Sequence, residues 1–158
     1  MMLYDAEDSV GLDIDWFAVD TEGKIAHFAT GGVGFLPAET GKDLQAADAA
    51  FDVLFAANET TSTIIIEENL PIFSSDEKRS QYITAFENMA KRGYFSYDVA
   101  DPSVQNSHYV LVAAPIKPAL LAASACDEAQ RATVPFFCSG VFDKDRLRVV
   151  ANDWLANT

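Results

Sequence analysis

Two histidines, His27 and His108, and four carboxylates, Asp13, Asp15, Asp20 and Glu22, are the residues whose types and spacing come nearest to chemistry. An imidazole titrates near neutral pH, so it can act as a general base when a carboxylate orients its ring. His27 with Asp15 or Asp20 is the pair such a role would use. The bland reading of each histidine is a half-buried strand residue with a satisfied ring nitrogen. The four carboxylates are also hard oxygen ligands. A calcium loop of the EF-hand type needs acids at positions 1, 3 and 5 and Gly at position 6. Counted from Asp13, position 5 is Phe17 and position 6 is Ala18, which excludes that loop. The histidines form neither His-x-x-x-His nor His-Glu-x-x-His, so zinc lacks an obvious ligand set.

Three glycine or serine motifs fail on context. Gly31-Gly32-Val33-Gly34 runs into Phe35-Leu36-Pro37 rather than opening a helix, so it is no dinucleotide fingerprint. Thr40-Gly41-Lys42-Asp43 is like the end of a P-loop. Yet Leu36 stands where its first glycine belongs, and Asp43 stands where the magnesium-holding Ser/Thr belongs. Cys138-Ser139-Gly140 lacks the nucleophile elbow. We therefore assign no catalytic residue, no metal ligand and no cofactor. A small-ligand or enzymatic alternative would use a cleft near His27 and the Gly31–Gly34 loop.

The elements that must position these groups are read from periodicity and turn chemistry. Two β-rich runs flank Asp20-Thr21-Glu22-Gly23, with Gly23 in a left-handed turn position. They predict a hairpin covered on both faces, with Trp16 and Phe28 in the core. Leu44, Ala47, Phe51, Leu54 and Phe55 recur every three or four residues and predict a helix from Thr40 or Lys42 to Ala57. Asp43, Asp48 and Asp52 fall on its other side. Thr63–Glu67 reads as a strand. Ser74-Ser75-Asp76-Glu77 reads as a capping box, with Ser74 as cap, opening a helix that Gly93 stops. Tyr94–Asp98 and His108–Ala114 read as strands. Ala119–Gln130 reads as a helix, Thr133–Phe142 as extended, and Asp143–Leu155 as helix or strand. Residues 1–12 read as a disordered or loosely docked leader. The expected fold class is α+β: a single domain over 1–158, with a largely antiparallel sheet packed against two or three helices.

Composition narrows the partners. The chain has 158 residues and a net charge of −13. Residues 1–79 hold 16 Asp/Glu against 4 Lys/Arg, whereas residues 80–158 hold 8 against 7. An acidic field of this kind repels nucleic acid and anionic lipid, both of which need Lys/Arg contacts. It attracts a basic protein surface and speeds that encounter. The longest apolar run, Val110–Ile116, is far short of the ~20 residues of a membrane helix. An acidic Met1–Asp8 is unlike the basic start of a secretory signal, so a cytoplasmic location is expected. In that setting Cys126 and Cys138, each beside apolar residues, read as reduced and buried.

The block Asp15-Trp16-Phe17-Ala18-Val19-Asp20-x-x-Gly23-x-Ile25-Ala26-His27-Phe28-x-x-Gly31-Gly32 resembles the opening of small acidic bacterial proteins of the toxin-immunity type. The resemblance covers residues 15–32 and carries no functional residue across. It implies a non-enzymatic domain that binds a basic bacterial protein. The residues expected to make that contact are Asp20 and Glu22 at the hairpin tip and Asp43, Asp48 and Asp52 on the first helix. A DNA-mimic inhibitor is the further alternative, and it would need carboxylates spaced regularly along one face.

Overall fold

Asp20 closes the first hairpin with its own side chain. Its Oδ1 accepts from the Glu22 and Lys24 amides at 2.9 and 2.8 Å, and Gly23 takes φ +89°. The strands so joined are β1 (Asp15–Val19) and β2 (Ile25–Ala29), with Trp16 opposite Phe28 and Phe17 opposite His27. The computed structural model describes residues 13–20, 22–41, 44–121 and 140–142. Cys126, Cys138, the leader 1–12 and the segment 143–155 lie outside them. So does Asp43.

After β2 come a single helical turn, α1 (Ala38–Gly41), and the amphipathic helix α2 (Leu44–Phe55). β3 (Thr63–Ile65) and a 3₁₀ turn (Glu67–Asn69) lead to α3 (Asp76–Lys91). Ser75, not Ser74, caps α3: its hydroxyl accepts from the Lys78 amide at 3.2 Å. Two adjacent serines offered the same cap, and the one with extended backbone took it. β4 (Phe95–Val99) and β5 (Tyr109–Pro115) follow, and β6 (Val141–Phe142) adds to β5.

The sheet runs β1-β2-β4-β5-β3, with β6 also on β5. Every pairing is antiparallel except β2 with β4. That parallel pair is possible because the α1–α3 stretch supplies a long crossover. The architecture is α+β, as expected. One correction concerns Ala119–Leu121, predicted as the start of a helix. These residues are extended: Leu120 bridges to Lys24, and the Leu121 amide donates to Gly23 O at 2.8 Å.

Side chains alternate between the two faces of the sheet. One face carries Trp16, Phe28 and Tyr97 stacked in a row, with Tyr109 edge-on to Trp16 and Phe28 and Phe35 tilted against Trp16. The other carries Phe17, His27 and Ser96 as register neighbours. Helices cover that second face: Phe51 of α2 meets Phe17, and Phe86 of α3 meets His27. Among the described residues no helix is long and apolar enough to cross a membrane.

Candidate functional site

The helix-covered face is not sealed. Between α2 and α3 lies a cleft of about 230 Å³, lined by Phe51 and Phe55 from α2, Ala85, Asn88 and Met89 from α3, and Asp15 and His27 from the sheet. Strand alternation puts Asp15, two residues before Phe17, on this face. His27 Nε2 lies 2.7 Å from Asp15 Oδ1, and His27 Nδ1 lies 2.8 Å from Ser96 Oγ. A carboxylate only accepts, so His27 Nε2–H donates to Asp15, and Nδ1 shares the second hydrogen bond with the Ser96 hydroxyl.

A serine, an imidazole and a carboxylate in one hydrogen-bonded chain have the composition of a hydrolytic triad. Their order of exposure is the reverse of one. Ser96 is 0% exposed and His27 3%, whereas the Asp15 side chain is 39% exposed. A nucleophile must reach its substrate, and Ser96 sits fully buried beneath the ring. The group that meets solvent is the Asp15 carboxylate, held in place by a buried imidazole. No protein-family model, curated protein or solved structure matches the chain. What the cleft can do is therefore read from its side chains. A fixed carboxylate among aromatic and aliphatic walls can hold a cation.

The residues expected to form an acidic patch are placed differently from one another. Asp20 is 0% exposed, so the expectation that it projects into solvent is corrected. An Asp at the first position of a tight turn folds back on its own backbone, and that is where its charge goes. Glu22 is exposed but pairs with Lys24 at 2.8 Å. Asp48 and Asp52 are exposed on α2, one turn apart. His108 is exposed just before β5. The expected cleft joining His27 to the Gly31–Gly34 loop is divided in two. His27 lines the cleft just described, and Gly31 lines a second hollow.

That second hollow, about 380 Å³, is lined by Gly31, Asn69, Pro71, Tyr82, Asp98 and Pro102 among others. Its carboxylate is already committed. Asp98 Oδ2 accepts from the Tyr82 hydroxyl at 2.5 Å, and Oδ1 accepts from the Val99 amide at 2.8 Å. Burial pushes Asp98 above its ordinary value of 3.8, against the pull of those two hydrogen bonds and of His27. Burial likewise raises Tyr82, helped by its bond to Asp98. The fold thus favours protonated Asp98. Its stabilising contribution is complete below the ordinary value and is lost as pH rises through the raised one. Asp98→Asn has no such proton. Urea unfolding at acid and at neutral pH should show wild type losing stability relative to the variant as pH rises. A pH-independent difference would contradict the raised carboxyl.

Of the two partners the sequence offers His27, Asp15 and Asp20, Asp15 is the one bonded to it, while Ser96 was missed because that contact comes from the β2–β4 register. Sequence reasoning placed a cleft near His27 but not the α2 and α3 walls that form it. Phe51 and Phe55 fit the apolar stripe of α2, yet Phe55 is 41% exposed, stacked on Phe51 and capped by Arg92. An aromatic at the last position of a helix, next to a polar turn, is the signal that could have marked it.

Proposed function

We propose that this chain is a non-enzymatic binding domain for a basic protein, in the manner of a bacterial immunity protein that engages a toxin. A cytoplasmic location, and no nucleic-acid partner, belong to the same proposal. The observation that carries it is the outer face of α2. Elsewhere in the described residues several exposed carboxylates have a cation or a helix dipole beside them, while Asp13, Glu68 and Asp101 are exposed without an ion pair. Glu59 faces Arg92, Glu67 faces Arg79 and Glu87 faces Lys91. Asp76 and Glu77 sit in the first turn of α3, where the helix dipole favours them. Asp48 and Asp52 have no cation among the described residues, and α2 has no basic residue in its last turn. Asp52, in the last turn of α2, works against the helix dipole, so its uncompensated charge suits an external cation better than the fold. The buried state of Ser96 and His27 supports a binding role over a hydrolytic one.

The test is kinetic. A basic protein captured on the immobilised domain is identified, purified, and its association rate measured at low and at physiological salt. Exposed charges are screened beyond about 8 Å at physiological ionic strength, so steered association slows steeply with salt. Asp48→Lys with Asp52→Lys should lower the low-salt rate about tenfold or more and flatten the salt dependence, with no loss of thermal stability. A partner that binds the reversed protein equally well at every salt concentration overturns the proposal.

A further inference from the structure

We infer that the cleft between α2 and α3 is the receptor for one cationic side chain, arginine or lysine, presented by the basic partner. The inference rests on the proposed function and names the contact it uses. Size comes first. At about 230 Å³ the cleft is smaller than the roughly 300–1,000 Å³ of sites for drug-sized ligands, which suits a single side chain. Chemistry comes second. Phe51, Phe55, Ala85 and Met89 give apolar walls for an aliphatic stem. Asp15 supplies the opposite charge. Its Oδ1 is held by His27 Nε2, and Oδ2 carries no hydrogen bond from the described residues. Preorganisation comes third. Ser96 fixes His27 and His27 fixes Asp15, so the carboxylate loses little freedom on binding.

The protein already satisfies a guanidinium at the edge of this region. Arg92 lies 4.3 Å over the Phe55 ring and donates to Phe55 O and Asn88 O at 2.8 and 2.7 Å. Its 3.8 Å approach to Glu59 leaves it bound to that end of the helices rather than to Asp15. Asp48 and Asp52, on the same helix as Phe51 and Phe55, bring a basic surface towards the opening.

The experiment titrates the protein, carrying labelled Ala and Met methyl groups, with Nα-acetyl-arginine amide, Nα-acetyl-lysine amide and the neutral Nα-acetyl-norleucine amide. The methyl signals of Ala85 and Met89 should shift saturably with at least one cationic probe and not with the neutral one. Asp15→Asn should abolish saturation. Ala85→Met, at an exposed position of α3, fills the cleft without touching Asp15 or His27 and should also abolish it. That second variant decides the matter if Asp15→Asn unfolds. With the captured partner, both variants should raise the dissociation rate about tenfold while the association rate stays near wild type. Equal shifts with the neutral probe, shifts confined to other sites, or saturation that survives Ala85→Met would each overturn the inference. Salt-dependent association through Asp48 and Asp52 can persist in those cases, so the two proposals fail separately.

Discussion

Trp16→Ala is expected to destabilise the protein by about 3–5 kcal/mol, the range for a large aromatic lost from a packed core. Trp16 is fully buried. Its ring stacks on Phe28 at 4.3 Å and 17°, and Phe28 stacks on Tyr97 at 4.9 Å, so one row of rings ties β1 to β2 and β4. Phe35 and Tyr109 close the sides at 5.9 and 5.8 Å. Such pairs add to the burial itself. The indole Nε1–H donates to the Tyr109 hydroxyl at 3.1 Å, and that hydroxyl donates to Phe35 O at 2.7 Å. Alanine removes the rings' common neighbour but leaves Tyr109 a partner in Phe35. The loss is therefore mainly cavity and contact, not an orphaned polar group. Urea unfolding should show a lower midpoint with an unchanged slope, and Trp16→Phe should recover most of the difference. A midpoint equal to wild type would place the core elsewhere.

The parts of this architecture that the sequence made legible are those set by neighbours in the chain. The first hairpin follows from Asp20 through Gly23, and the burial of Trp16 and Phe28 follows from the runs on either side. The apolar stripe of α2 and the glycine stop after α3 are of the same kind. What it could not make legible depends on distant segments. The parallel pairing of β2 with β4 sets His27 beside Ser96, 69 residues away. No periodicity announces that contact. Asp20 is the instructive case: as an acid at a turn tip it reads as solvated charge, yet the turn needs its oxygen more than water does. Asp48 and Asp52 show the opposite, a polar helix face that stays in solvent as its spacing implies. The cleft itself lies between two helices on the sheet, and helix packing is written in neither helix alone.

Gly93→Ala should have an effect of comparable size, about 2–5 kcal/mol, from two independent causes. Gly93 ends α3 with φ +96°, a region that costs an L-residue roughly 1–2 kcal/mol. It occupies the left-handed position of a Schellman motif. The Gly93 amide donates to Ala90 O at 2.9 Å and the Tyr94 amide to Met89 O at 3.3 Å. The second cause is contact. A Cβ at this position would stand 2.6 Å from the Ala119 amide nitrogen and 2.8 Å from the Ala119 Cβ. Ala119 cannot simply withdraw, because its amide donates to Gly93 O at 3.0 Å and the next two residues pair with the first hairpin. Forced overpacking of this kind adds about 1–3 kcal/mol. The last turn of α3 would have to shift instead, and it carries Asn88 and Met89, one wall of the Asp15 cleft. The variant should therefore unfold at lower urea and also perturb the Met89 methyl signal in the folded protein. Gly31→Ala is the control: it keeps the positive φ penalty, but its nearest neighbour is Val99 Cγ2 at 3.6 Å, an ordinary contact. If both variants lose the same stability, the close approach of Ala119 contributes nothing and only the backbone angle matters.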